Sequence, residues 1–195
     1  DGAITPNKVS KFFNVGGYGA FGTKDKTVKY GGDVNFFIHR NYDVELNLSY
    51  QKDVIEPGVT PFYSYKIPLL STAGNRFFYM NRMNNNEKME ARLKFRTFRY
   101  LKVYLFVNQE SIAVTNDYYY VKKIDDFTWL YDQNYLFNEV GVELKYAFKQ
   151  KVIQTTNYKY TKPTNYPILY AKIEHGINNS YGEYDYTRLT VKTEK

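Results

Sequence analysis

From Thr27 to Lys52 the side chains alternate between apolar and polar with a single interruption, and no other feature of the chain limits its fold as much. One parity holds Val28, Tyr30, Gly32, Val34, Phe36 and Ile38, then, past a short turn, Val44, Leu46, Leu48 and Tyr50. The other holds Thr27, Lys29, Gly31, Asp33 and Asn35, then Glu45, Asn47, Ser49 and Gln51, with Phe37 the apolar interruption. A period of two sends successive side chains to opposite faces of a sheet, so the stretch predicts a hairpin with one greasy and one hydrophilic face. Each strand is about ten residues long, which is what a tilted strand needs to cross the roughly 30 Å hydrocarbon core of a bilayer. The greasy face is therefore read as lipid-facing.

The alternation returns further along the chain. Met89, Ala91, Leu93 and Phe95 oppose Glu90, Arg92, Lys94 and Arg96, and Val140, Val142, Leu144, Tyr146 and Phe148 oppose Glu139, Gly141, Glu143, Lys145 and Ala147. A cation facing lipid near the midplane costs about 2 to 4 kcal/mol, so the basic parity is expected to face a lumen or water. Taken in order, the chain reads as a lead-in segment at residues 1–10 and then strands near Lys11–Gly22, Thr27–His39, Val44–Lys52, Met89–Phe98, Val103–Glu110, Glu139–Phe148, Tyr166–Gly176 and Glu183–Lys192. The expected fold is all-β: an antiparallel meander of about eight strands from a transmembrane β-barrel, an incomplete half barrel forming one segment over 1–195. Its expected membrane-facing residues are Val28, Tyr30, Val34, Phe36, Ile38, Val44, Leu46, Leu48, Val140, Val142 and Leu144.

The connections have a rhythm. Those after the second and fourth strands are short, while 53–87 and 109–137 are long, as expected of short periplasmic turns and long extracellular loops. The link after the sixth strand is longer than this scheme prefers. Gly16, Gly17, Gly19 and Gly22 crowd the first strand. Glycine weakens a strand interior, so the cluster predicts close backbone approach, a bulge or strong curvature, and marks a flexible first strand.

Composition enters where it excludes. The 22 Tyr and 14 Phe bring aromatics to 19% of the chain, and such rings suit the girdles that barrels place at membrane interfaces. No run approaches the roughly 18 consecutive apolar residues of a transmembrane helix. With no cysteine, disulfides, thiolate metal sites and cysteine nucleophiles drop out. The 27 Lys and Arg behind a net charge of +7 are spread along the chain rather than gathered on one helix or arm, so nucleic acid is not expected as a partner.

Motifs of catalysis do not survive their context. Gly17-Tyr18-Gly19-Ala20-Phe21-Gly22 has the spacing of a dinucleotide fingerprint, but the helix whose N-terminus would meet a pyrophosphate is replaced by the best strand in the chain. His39 and His175, the 2 histidines, lack metal-ligand spacing. Asp125-Asp126 reads as solvated loop, and Glu139 with Glu143 as a lumen-facing ladder. The expectation is a protein without catalytic residues, cofactor or metal.

Several segments read together carry a resemblance: Gly16-Gly17-Tyr18-Gly19-Ala20-Phe21-Gly22, Asp25-Lys26, Lys29-Tyr30-Gly31-Gly32-Asp33, Tyr50-Gln51-Lys52-Asp53-Val54, Asn165-Tyr166-Pro167-Ile168-Leu169 and Gly182-Glu183-Tyr184-Asp185-Tyr186. Together they resemble the C-terminal barrel of a family of Gram-negative outer-membrane proteins that carry an N-terminal carboxypeptidase-regulatory-like domain and a BamA-like, surface-antigen barrel. The resemblance implies an outer-membrane location and a barrel of about sixteen strands, of which this chain is the first half and missing downstream sequence the rest. It implies a scaffold or conduit in outer-membrane biogenesis, protein insertion or transport, with outer-membrane lipid and other outer-membrane or exported proteins as partners. The glycine-rich first strand fits a lateral gate. The alternatives are a complete eight-strand barrel serving as an adhesin or structural protein, and a soluble secreted β-protein that binds glycan through its tyrosine-rich loops.

Overall fold

The computed structural model describes residues 2–4, 12–22, 27–39, 42–55, 62–63, 83–115, 120–125, 128–154, 159–162, 164–179 and 182–194. Among them there is no helix, and the strands in chain order are β1 (Gly2–Ile4), β2 (Phe13–Phe21), β3 (Val28–His39), β4 (Val44–Ile55), β5 (Asn84–Phe98), β6 (Leu101–Ala113), β7 (Tyr120–Asp125), β8 (Thr128–Asp132), β9 (Asn134–Ala147), β10 (Val152–Gln154), β11 (Lys159–Thr161), β12 (Ile168–Gly176) and β13 (Tyr186–Glu194). Eight long strands form one antiparallel sheet in the order β2-β3-β4-β5-β6-β9-β12-β13, with the three-residue β1 on the free side of β2. The outermost strands do not pair with each other, so the sheet is open.

Register converts the alternation into two complete faces. On one, Phe13, Phe36, Leu46, Leu93, Leu105, Val142, Ile173 and Leu189 stand opposite one another in a row that crosses every long strand. The adjoining row runs Val15, Val34, Leu48, Ala91, Val107 and Val140. These rows define the apolar face. The polar face carries the complementary parity, for example Asn14, Asn35, Asn47, Arg92, Phe106, Gly141, Glu174 and Arg188 in one row.

Burial is inverted relative to a water-soluble domain. Among the described residues nine polar or charged side chains are buried against six hydrophobic ones, and apart from Val103 all of them sit on, beside or over the polar face. Val28, Val107, Leu189 and Val191 on the apolar face are 52–67% exposed. The expected membrane-facing residues are all on the apolar parity, the closest to an exception being Ile38, which a bulge between Phe37 and His39 leaves outside the pairing at 63% exposed.

Strand ends depart from the expected ones in instructive ways. Residues 84–86, three consecutive asparagines with poor strand propensity, belong to β5 because they pair with Ile55, Val54 and Asp53 and then with the end of β6, so tertiary pairing overrides propensity. The connection expected at 53–87 thus spans 56–83, and that at 109–137 contains the end of β6, the β7–β8 hairpin and the start of β9. The lead-in segment contributes a strand, as Gly2, Ala3 and Ile4 pair with Gly19, Tyr18 and Gly17. That pairing covers the edge of the glycine-rich strand. Of its glycines, Gly16 lies under the Asp33 carboxylate, where a Cβ would come within 2.6 Å of Asp33 Oδ1 and turn that side chain aside, whereas Gly19 faces open space and Gly22 lies beyond β2, donating its N–H to the Thr27 carbonyl at 2.9 Å.

The long link after the sixth long strand is itself folded. β10 and β11 pair as a hairpin, Lys162 N–H donates to the Lys151 carbonyl at 2.9 Å and Thr164 Oγ1 to the Phe148 carbonyl at 3.0 Å, so extra chain is used without opening the rim. On the same rim Asp43, at φ 52°, turns β3 into β4, a conformation that Asp tolerates better than most residues.

Candidate functional site

The polar face is built on glycines that let aromatic rings lie close to the sheet. Tyr18 stands opposite Gly31, Phe106 opposite Gly141 and Tyr186 opposite Gly176. A Cβ on Gly141 would come within 2.4 Å of Phe106 Cζ and 2.6 Å of the Ile173 carbonyl oxygen, so a side chain there would displace both ring and neighbouring strand. The tyrosines then reach carboxylates: Tyr18 OH donates to Asp53 Oδ2 at 2.9 Å, and Tyr186 OH donates to Glu139.

Onto Phe106 docks a step of the connection between β4 and β5. The Tyr63 ring meets Phe106 edge-on at 5.1 Å, its backbone N–H donates to Glu143 Oε2 at 2.8 Å and its hydroxyl donates to Glu90 Oε2 at 2.6 Å. The Arg92 guanidinium stands 3.6 Å from the Tyr63 ring centroid, a cation–π contact strengthened where water is excluded. Phe62, buried beside it, packs on Tyr170 at 5.8 Å. Burial, and then the Glu90 carboxylate, push the Tyr63 phenol far above its ordinary value, so the hydroxyl stays a neutral donor at physiological pH.

Around this anchor the charges are matched. Glu90 takes Lys88 at 3.1 Å and Arg92; Glu174 takes Lys172 at 2.6 Å and Arg188; Arg188 also approaches Glu139 at 3.5 Å; and Lys94 meets Glu45 at 2.6 Å. An ion withdrawn from water costs several kcal/mol unless partnered, so a ladder of this kind holds its side chains in fixed positions while contributing little net stability. The chemistry on offer is that of a charged, hydrogen-bonded wall: these carboxylates are held by cations or phenols.

The expected ladder of Glu139 and Glu143 is on this face, both side chains buried. His39 and His175 are not brought together; the former lies 4.8 Å from the Tyr42 ring and the latter pairs through Nδ1 with Thr187 Oγ1 at 3.1 Å. Among the described residues no group of three or more His, Cys, Asp or Glu side chains converges on a metal position. The side chains of Asp125 and Asp126 lie outside the described residues. Sequence reasoning missed Phe62 and Tyr63, which it left in an exposed loop; the only signal was an adjacent aromatic pair directly after Pro61. No family model, curated protein or solved structure matches this chain.

Proposed function

We propose that this chain is an arc of an outer-membrane β-barrel, a scaffold or conduit in outer-membrane biogenesis, protein insertion or transport, rather than an enzyme. The observation that carries the reading is the apolar row running from Phe13 to Leu189 across all eight long strands, half-buried to exposed and with none of its side chains buried, while Glu143 and Glu174 are fully buried on the other face. Water disfavours that arrangement at about 25 cal/mol per Å² of apolar surface, whereas acyl chains satisfy it. Aromatics flank the belt, with Tyr30 and Tyr50 6.0 Å apart toward one rim and Tyr146, Phe148 and Tyr166 in successive ring contact toward the other, where interfacial girdles belong. The open sheet favours a larger barrel, closed by strands beyond these, over a complete eight-strand one.

The test is assembly of the chain, with whatever flanks it in its gene, into liposomes. Val34→Arg is expected to abolish the heat-modifiable, protease-resistant species and Asn35→Arg to leave it intact. Equal damage from both substitutions, or full solubility and folding without detergent, overturns the reading in favour of a secreted β-protein.

A further inference from the structure

The Phe62–Tyr63 step lies far below the rim from which its connection departs. β4 ends at Ile55, which pairs with Asn84, and the next residue of β5, Asn85, faces Ala113 at the end of β6, so the three strands end at one level. Phe106, on which Tyr63 rests, comes seven residues before Ala113, which at about 3.3 Å per residue is about 23 Å of strand. A barrel tilt of about 40° still leaves a depth of about 18 Å. The step therefore sits near the midpoint of β6, level with Leu105 and Val107 of the apolar belt on the opposite face. Four neighbouring strands hold it there: β5 through Glu90 and Arg92, β6 through Phe106, β9 through Glu143 and β12 through Tyr170 against Phe62. Lys88 and Lys172 complete the seat at 5.7 and 5.3 Å from the Tyr63 ring centroid. A connection that only capped the rim would need none of these partners.

We infer that Phe62 and Tyr63 form a constriction inside the conduit, fixed to its wall at mid-height and limiting the size of what passes. The inference rests on the barrel reading, which makes the polar face the wall of a lumen. Eight long strands leave this sheet open, and a barrel of more than eight encloses a space wider than its wall side chains fill. A step seated across four strands narrows that space. Its hydrogen bonds go to the buried carboxylates of Glu90 and Glu143, so the narrowing is set by directional bonds rather than by apolar contact alone. The two rings supply the obstruction, and the Tyr63 hydroxyl only fixes its ring in place.

The experiment reconstitutes the chain, with whatever flanks it in its gene, into liposomes and takes two readings on the same samples. The heat-modifiable species reports the barrel, and influx of neutral sugars of increasing size reports the constriction. Phe62→Ala combined with Tyr63→Ala is expected to raise trisaccharide influx by about threefold or more, because the obstruction is gone. Tyr63→Phe keeps both rings and is expected to leave influx at the wild-type level. Tyr42→Ala, which removes an exposed ring on the opposite rim, is expected to do the same. A normal heat-modifiable species with unchanged influx in the paired variant, or an equal rise in Tyr42→Ala, overturns the constriction and leaves the barrel standing. A wild type that folds without detergent and gives no heat-modifiable species overturns both. Should the paired variant fail to assemble, Tyr63→Cys places a single thiol in a chain that has no cysteine. A bulky polymer-linked maleimide is then expected to label the assembled protein in detergent far more slowly at Tyr63→Cys than at Tyr42→Cys, and equal rates overturn the constriction.

Discussion

The two faces of this sheet are made by the same strands and obey opposite rules. On the apolar face side chains such as Leu105 and Val107 touch only their lateral neighbours and otherwise present themselves to the surroundings, so the solvent determines what they contribute. On the polar face Glu174, Glu143 and Tyr63 are fixed by named partners, so what they contribute depends on those partners. One face is specified by hydrophobicity alone and tolerates exchange among apolar residues; the other is specified pair by pair and does not.

The comparison can be broken most severely at Glu174. Glu174→Ala leaves Lys172 and Arg188 without their shared carboxylate and is expected to cost about 3 to 5 kcal/mol in urea unfolding, because a charge stays buried after its partner goes. Next is Val107→Arg, expected to cost about 2 to 4 kcal/mol in bilayers. The residue is half exposed, so a water-facing sheet would absorb the same change within roughly 0.5 kcal/mol, and that small effect would refute the assignment of faces. Gly141→Ala is expected to cost about 1 to 3 kcal/mol by forcing Phe106 off the backbone, and to raise protease access near Tyr63, which rests on that ring.

Tyr63→Phe sharpens the comparison with the smallest effect, about 1 kcal/mol, since ring packing and the N–H bond to Glu143 survive and only the bond to Glu90 is lost. Its pH dependence follows from the raised phenol. The neutral hydroxyl is the form the folded state favours, so its contribution is complete below the ordinary phenol value of about 10 and is lost as pH rises through the folded value. The stability gap between wild type and Tyr63→Phe should therefore be constant from neutral pH to about 9 and shrink in more alkaline solution.

Much of the fold was legible in the sequence. Strand existence and the parity of Val34, Leu46, Val142 and their neighbours follow from a repeat of two, which is written locally along the backbone. Strand ends were less legible. Asn84, Asn85 and Asn86 look like loop until their partners on β4 and β6 are known. The candidate site was legible only in part. Glu139 and Glu143 were placed on the right face, but nothing local marked Phe62 and Tyr63 as its anchor or matched Gly141 with Phe106.

By itself the sequence determined an all-β chain, its meander of long strands, and which parity is greasy, because side-chain direction in a strand is a property of the backbone. Tertiary structure alone decided which carboxylates Lys94, Arg96 and Arg188 meet across strands, that a loop step covers the polar face, and that Arg96, Lys102 and Lys145 share a row. Those outcomes depend on register between residues 6 to 80 positions apart, and no short window of sequence encodes it.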